Sequence, residues 1–254
     1  MCLSGSICSI RLICALLLMK QIDVCLTPDL LHLHQVENTI VVVADVFRAT
    51  SCMVTAFAHG VNTIVPVATI DECRDWQERG YLAAAERNAR RVDGFELDNS
   101  PFTYMNEQIR GANVAMTTTN GTLAITRSRQ AVKVLVGSFL NLEAIVRCLK
   151  TERYDVMVLC AGWKGRVNLE DTLFAGALVE RLKDSYAMAE DSAIMAWRLY
   201  EQGKENLPAY LANSSHIKRL QRLGIQKDIT YCLQHDLYDV VPVLRGNALV
   251  AMEF

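Results

Sequence analysis

The feature that most constrains the fold is an apolar run within residues 39–50, T-I-V-V-V-A-D-V-F-R-A-T. Residues 40–43 are apolar without alternation, which is typical of a strand buried on both faces of a parallel sheet, although so short a run also fits a buried helix. Asp45 and Arg48 follow directly, and a helix-like segment begins at Cys52. Ligands of open α/β sheets bind where a strand gives way to a helix, so we expect a site here.

The rest of the chain alternates between short apolar runs and helix-like segments. The predicted strands are 21–26, 39–45, 62–67, 81–85, 113–118, 132–137 and 154–160. The predicted helices are 49–59, 70–79, 101–108, 121–127, 140–150 and 168–183, then 187–202, 206–212, 215–223 and 226–235. Two last strand-like runs, 239–244 and 247–253, predict a closing hairpin at an antiparallel edge. The predicted fold class is therefore α/β, with a mainly parallel sheet flanked by helices, a helical C-terminal stretch and a closing β-hairpin.

The 254 residues suffice for one large domain or two small ones, and no Pro/Gly/Ser-rich linker divides them. We predict one α/β domain over 19–254, with two α/β subdomains as the alternative. Residues 1–18 are interpreted as an N-terminal extension outside the fold, and Met19 as the natural start. The apolar stretch 7–19 is too short to span a membrane, and Arg11 interrupts it.

Charge and cysteine content exclude several classes of protein. The formal net charge of −2 gives no electrostatic support for nucleic-acid binding. The nine cysteines are scattered without a C-x-x-C pair, so neither a zinc site nor a disulfide framework is indicated. Buried free thiols in a reducing cytoplasm are expected instead. We expect no membrane partner, and the sequence leaves a homo-oligomer open.

Polar side chains, interspersed with glycines, follow five of the predicted strands. They are Asp45 and Arg48; Glu86, Arg87 and Asn88; Thr117 to Thr122; Ser138 and Asn141; and Gly162, Lys164, Gly165, Glu170 and Asp171. If the strands are parallel, these groups meet at one edge of the sheet. Carboxylates beside arginines and hydroxyls suit a phosphate ester held with a divalent metal.

Two local sequences stand out. In T-T-T-N-G-T, the amides of 120–122 are predicted to form an anion-binding nest, with a hydroxyl-rich helix cap as the alternative. A-G-W-K-G contains a G-x-x-G loop, which is weak evidence, and neither a P-loop nor G-x-G-x-x-G occurs. Each acidic candidate also has a structural alternative: a helix cap for Asp45, and compensation of the helix dipole for Glu170 and Asp171. The run 86–91 could equally be a solvated basic loop.

Other polar residues are interpreted as structural. The histidines at 32, 34, 59, 216 and 235 have no metal-ligand spacing, so histidine-based catalysis is not predicted. Lys218, Arg219 and Arg222 are expected on the solvated side of a helix. Of the three tryptophans, only Trp163 is expected near the site.

Taken together, the motifs resemble the 2-phosphosulfolactate phosphatase family. The matching pieces are D-V-F-R-A-T-S at 45–51, E-R-N at 86–88, G-F-E-L-D-N-S-P at 94–101, T-T-T-N-G-T at 117–122, G-S-F-L-N at 137–141, C-A-G-W-K-G at 160–165 and L-E-D-T-L-F-A-G at 169–176. The resemblance implies an α/β enzyme that hydrolyses a phosphomonoester with Mg²⁺, the family substrate being 2-phospho-3-sulfolactate on a route to coenzyme M. Asp98 stands where the family pattern has glycine.

The strand-end clustering suggests roles for these residues. Asp45, Arg48 and Glu86 are predicted to be catalytic, and Asp45, Glu86, Glu170 and Asp171 to hold Mg²⁺. The predicted substrate-binding residues are Arg87, Asn99, Ser100, Thr118, Thr119, Asn120, Gly121, Thr122, Ser138, Gly162 and Gly165. Arg87 or Lys164 is expected to meet the carboxylate or sulfonate. A metal-activated water is the expected nucleophile, with Asp45 itself as the alternative.

Two other functions compete with this interpretation. A haloacid-dehalogenase-type phosphatase needs a second acid two residues after the first, where this chain has Phe47. A non-catalytic module that binds nucleotides or sugar phosphates could use the same strand ends. Several carboxylates beside an anion favour the enzyme, because they help only if a metal ion intervenes.

Overall fold

The computed structural model describes residues 19–87 and 90–253, so the predicted extension 1–18 and Asn88 lie outside the described residues. The described strands form one sheet. They are β1 Gln21–Cys25, β2 Thr39–Ala44, β3 Thr63–Pro66, β4 Leu82–Arg87, β5 Arg90–Arg91, β6 Asn113–Thr117, β7 Lys133–Gly137, β8 Asp155–Cys160, β9 Ala187–Met188, β10 Pro242–Arg245 and β11 Ala248–Ala251.

Helices connect most of these strands. They are α1 Ala49–Ala58, α2 Ile70–Glu78, α3 Gly121–Arg127, α4 Leu142–Thr151, α5 Leu169–Leu182, α6 Asp191–Gly203, α7 Leu207–Leu211, α8 Ser215–Arg222 and α9 Gln226–Cys232. Short 3₁₀ turns lie at Pro28–Leu33, Pro101–Tyr104, Glu107–Ile109 and Phe139–Asn141. The predicted α/β class with a helical C-terminal stretch is confirmed.

The strand order is β5-β4-β6-β3-β11-β10-β7-β2-β8-β1-β9. β4, β6 and β3 are parallel to one another, as are β7, β2, β8, β1 and β9. The β10–β11 hairpin lies between these two groups and is antiparallel to both. The hairpin prediction is confirmed but its edge position is wrong: Val243 pairs with Leu135, Leu249 pairs with Ile64, and both hairpin residues are buried.

β2 is an interior strand of the larger group, with β8 on one side and β7 on the other. Residues 40–44 are fully buried, because helices cover both faces of this part of the sheet and neighbouring strands satisfy its backbone. The unalternated valine run therefore predicted its environment correctly. The strand fixes the position of Asp45, the residue that follows it.

α5 carries the acidic pair that follows β8, and its position depends on a close contact with α6. A Cβ added to Gly176 would lie 2.0 Å from the carbonyl oxygen of Ala196, so only glycine allows this approach of the two helices. Trp197 on α6 also donates its indole N–H to Glu180 on α5. These contacts fix the second half of α5 against α6.

One predicted helix, 101–108, is wrong: the segment forms two 3₁₀ turns, Pro101–Tyr104 and Glu107–Ile109. Asp98 helps to fix the first, because its Oδ1 accepts hydrogen bonds from Ser100 N at 2.8 Å and Thr103 Oγ1 at 3.3 Å. The aspartate at this position thus stabilises the turn with its side chain. In the part of the chain that the structure describes, no helix combines the length and apolarity needed to cross a bilayer.

Candidate active site

A small pocket lies where the end of β2 meets the loops after β6 and β8 and the helix α8. The side chains around it come from six separate segments of the chain. They are Asp45, Phe47, Arg48, Glu86, Asn99, Thr118, Thr119, Asn120, Trp163, His216, Arg219 and Leu220.

We expected the polar residues to follow parallel strands at one edge of the sheet, but the strands that carry them do not all run in the same direction. Three successive antiparallel pairings, β7–β10, β10–β11 and β11–β3, make β3 and β6 run opposite to β7 and β2. The loop after β6 reaches Asp45 because the start of α3 packs on the start of α1. The β10–β11 hairpin, which we predicted at an edge of the sheet, is inserted between the two groups of strands and reverses their relative direction.

Asp45 is buried at the junction of β2 and α1. Its Oδ1 lies 3.5 Å from the amide nitrogen of Ala49, and the Gly121 amide also donates to the carboxylate. Burial raises the pKa of Asp45 to about 6; the charge of Glu170 adds to the rise, while His216 and the two amides oppose it. Asp45 is therefore a pocket acid with a destabilised charge, and its carboxylate also lies near the first amide of α1.

Glu170 is fully buried in the first turn of α5. Its Oε1 lies 2.5 Å from Nδ1 of His216. Its Oε2 is buried without a hydrogen-bond partner among the residues that the structure describes. A buried carboxylate oxygen left in this way marks a place for a cation.

Asp171 lies beneath the pocket and does not line it. Its Oδ1 accepts from the Val46 amide at 2.8 Å, and its Oδ2 from the Gly162 amide at 3.1 Å. Burial raises its pKa well above the usual range, and the charges of Asp45 and Glu170 raise it further. Asp171 joins the loops after β2 and β8, which is a positioning role the sequence did not predict.

Within residues 19–87 and 90–253, no three His, Cys, Asp or Glu side chains are grouped as ligands of one metal ion. The predicted four-carboxylate set is thus not assembled as a cluster: Asp171 is bound to amides, and Glu86 is half-buried on the pocket wall. Of the four predicted ligands, Asp45 and Glu170 remain as candidates, and Oε2 of Glu170 has no hydrogen-bond partner among the described residues. Two carboxylates fit Mg²⁺, which completes its six ligands with waters and substrate phosphate.

Arg48 lines the pocket and is held from behind by Asp228 on α9. Its Nη1 donates to Oδ2 of Asp228, and both side chains are buried. The pairing fixes one edge of the guanidinium and leaves its other donors for the pocket. Asp228 lies 180 residues from Arg48, so no local pattern could predict it.

The threonine loop is closed by reciprocal hydrogen bonds. Thr118 N donates to Oγ1 of Thr122 at 3.2 Å, and Thr122 N donates to Oγ1 of Thr118 at 3.1 Å. With the Gly121 amide directed at Asp45, the predicted nest of amides 120–122 is wrong, because two of the three serve the protein itself. Asn120 Oδ1 accepts from the Lys164 amide at 3.2 Å, which joins this loop to the one after β8.

Replacing Gly121 with Ala should disturb the site more than the fold. The added Cβ would lie 2.6 Å from Ala49 Cβ and 2.9 Å from Asp45 Oδ2, so Asp45 or α3 must shift. We expect a loss of about 1–3 kcal/mol in unfolding free energy, measured by urea denaturation, together with a loss of phosphatase activity. Leu123→Ala, an exposed position on the same helix, is the control. Full activity in Gly121→Ala would contradict the contact.

Several predicted substrate-binding residues do not line the pocket: Arg87, Ser100, Gly121, Thr122, Ser138, Gly162 and Gly165. Arg87 is exposed at the end of β4, and its Nη1 donates to the Glu86 carbonyl. Ser138 is buried before the turn at Phe139–Asn141. Gly162 and Gly165 shape the loop after β8, with φ of 62° and 75°.

α8 supplies side chains that sequence reasoning missed. His216 is buried beside Glu170, although no histidine was predicted to take part. Arg219 lines the pocket and lies over Trp163, whereas it was expected on the solvated face; Lys218 and Arg222 are exposed as predicted. The spacing of His216, Arg219 and Leu220 at i, i+3 and i+4 was the available signal for one inward face.

Comparison with known proteins adds independent evidence. The family model described as 2-phosphosulpholactate phosphatase matches residues 25–247. The chain belongs to the 2-phosphosulfolactate phosphatase family. A relative from Thermotoga petrophila, named "Probable 2-phosphosulfolactate phosphatase", is 41% identical over 233 residues, which cover 92% of this chain and 99% of the relative. A relative of the same name from Caldanaerobacter subterraneus is 36% identical over 212 residues, covering 82% of this chain and 88% of the relative. The resemblance inferred from the motifs is confirmed.

Proposed function

We propose that this protein is a magnesium-dependent phosphatase that hydrolyses 2-phospho-3-sulfolactate, or a closely related 2-hydroxy acid phosphate. The observation that carries the proposal is one pocket lined by Arg48, the hydroxyl-bearing loop 118–120 and Asp45. The unpartnered oxygen of Glu170 is buried next to this pocket, behind His216. The names of the relatives support the choice of substrate. The enzyme would act in the cytoplasm, where free buried thiols such as Cys52 and Cys160 stay reduced.

Arg48 and the loop 118–120 form the phosphate-binding side of the pocket. The guanidinium, held by Asp228, neutralises charge on the phosphoryl oxygens. Thr119 and Asn120 offer a hydroxyl and an amide group beside it. Asn99, whose buried Oδ1 has no protein partner among the described residues, faces the same space and can bind a ligand. Most of the rate acceleration in phosphoryl transfer comes from such positioning and charge neutralisation.

The acidic side of the pocket needs a cation, because two buried carboxylates would otherwise repel a phosphate dianion. Asp45 and Glu170 would hold Mg²⁺, and Asp171 keeps the loops that carry them in place. When bound, magnesium supplies charge neutralisation at the phosphoryl oxygens and makes water a better nucleophile. In the reaction, water adds to phosphorus, the ester P–O bond breaks, and the 2-oxygen takes a proton. The products are 3-sulfolactate, on a route to coenzyme M, and inorganic phosphate.

The test is phosphate release from purified protein with 2-phospho-3-sulfolactate and a panel of phosphate esters, in Mg²⁺ and in EDTA. We expect release in Mg²⁺, loss of activity in EDTA, and recovery when excess Mg²⁺ is restored. Absence of release from every ester would refute the enzyme and favour the non-catalytic binding module. Equal rates in Mg²⁺ and EDTA would leave a phosphatase but remove the metal from the proposal.

A further inference from the structure

Trp163, in the loop after β8, carries cationic side chains on its ring. The guanidinium carbon of Arg219 lies 5.1 Å from the ring centroid, and so does the ammonium nitrogen of Lys164. The imidazole of His216 stacks on the same indole at 6.2 Å between centroids. Of the two cations, Arg219 is the one that also lines the pocket.

Arg219 and Arg48 differ in whether a carboxylate neutralises the charge of the guanidinium. Arg48 is bound to Asp228, whereas Arg219 forms no ion pair with an acidic side chain of the described residues. A guanidinium held by its face on an aromatic ring keeps its edge donors free and is oriented before a ligand arrives. The half-buried side chain therefore presents a guanidinium without an ion-pair partner among the described residues to a pocket that Asp45 and Glu86 also line.

The proposed function assigns the phosphoryl group to Arg48 and the loop 118–120, so Arg219 is left without a part in phosphate binding although it lines the same pocket. Arg219 enters the pocket from α8, among the groups around Trp163 and His216. A substrate that bears acidic groups beyond its phosphoryl group needs a cation there. Planar guanidinium groups bind carboxylate and sulfonate oxygens with two parallel hydrogen bonds.

We propose that Arg219, held on Trp163, binds an acidic group of the substrate other than its phosphoryl group and selects esters that carry one. The inference rests on the proposed function, whose substrate bears a carboxylate and a sulfonate. It replaces Arg87, which the sequence suggested for this task and which is exposed outside the pocket. Arg219 is a specificity residue in this account, so its loss weakens binding more than it slows turnover.

The experiment compares wild type with Arg219→Gln, Arg219→Lys and Arg222→Gln, an exposed arginine on the same helix that does not line the pocket. KM and kcat are measured for 2-phospho-3-sulfolactate and for ethyl phosphate, which has no further acidic group. We expect Arg219→Gln to raise KM for the first substrate about 10–100-fold, with similar kcat, and to leave ethyl phosphate unchanged. Arg219→Lys should recover part of the loss, and Arg222→Gln should match wild type.

Binding of 3-sulfolactate, measured by calorimetry, separates this inference from the proposed function because the compound has no phosphoryl group. Weaker binding in Arg219→Gln but not in Arg222→Gln supports the inference even if wild type releases no phosphate. Equal losses on both esters would overturn it, since Arg219 would then serve the phosphoryl group or the fold. Unchanged KM and unchanged 3-sulfolactate binding would overturn it as well; circular dichroism establishes that each variant is folded.

Discussion

Asp45→Asn should reduce phosphate release by about 10³-fold or more while making the metal-free protein more stable. The loss of activity follows because Asp45 lines the pocket together with Arg48 and lies near Glu170. A neutral amide holds a cation more weakly than a carboxylate and cannot attack phosphorus. The gain in stability follows from the buried charge of the carboxylate. Opposite effects of one substitution on activity and stability are characteristic of a functional group placed at a cost to the fold.

The pH dependence of the stability change has a definite sign. Burial raises the pKa of Asp45 from 3.8 to about 6, so the folded protein resists ionisation of this group. The penalty is small below pH 4, develops between pH 4 and 6, and is fully present above pH 6. Removing the carboxylate should therefore stabilise the protein by roughly 2–3 kcal/mol at pH 8 and by only about 0.5 kcal/mol at pH 4.

Urea denaturation in EDTA at both pH values measures this difference. Asp75→Asn, an exposed carboxylate on α2, is the matched control and should change stability by less than about 0.5 kcal/mol. Excess Mg²⁺ should raise the melting temperature of wild type and have little effect on Asp45→Asn. A metal-free variant less stable than wild type at pH 8 would refute the assignment of a destabilised charge.

The parts of the fold that were predictable depend on local pattern. Helices and neighbouring strands surround the valine run of β2. Its unbroken apolar sequence is typical of a strand buried on both faces, so this environment could be predicted from the run alone. The placement of the β10–β11 hairpin is not local, since either an edge or an interior position would bury Val243 and Leu249. Whether the domain comprises two subdomains stays a prediction, although one continuous sheet joins both groups of strands.

The candidate site also has residues that local sequence pattern predicts and residues that it does not. Asp45, Arg48 and the threonine loop follow strands directly, so strand-end reasoning places them near a ligand. His216, Arg219 and Asp228 come from the helical C-terminal stretch. In the sequence their polar side chains are typical of a solvent-exposed helix face. Only the packing of α8 and α9 in the folded protein shows that these residues face inward. The error about Gly121 and Thr122 has another cause: their amides are used within the protein, by Asp45 and Thr118.

Asp228→Ala should be among the most destabilising single substitutions in the chain. It leaves Arg48 buried and without its carboxylate partner, and breaking a buried pair in this way costs about 3–5 kcal/mol. Phosphate release should fall too, because the guanidinium loses the contact that orients it toward the pocket. Urea denaturation and kinetics with 2-phospho-3-sulfolactate measure the two effects, with Lys227→Ala, an exposed neighbour on α9, as the control.

A double variant separates the structural role of this pair from its functional role. Arg48→Met combined with Asp228→Leu removes both charges and fills similar volume, so it should recover much of the stability lost in Asp228→Ala. It should not recover activity, because the guanidinium that we propose binds the phosphoryl group is gone. Recovery of both would mean that Arg48 serves only the fold. Recovery of neither would mean that Asp228 stabilises the protein through contacts other than Arg48, since its charge in the first turn of α9 contributes only about 0.3–1 kcal/mol.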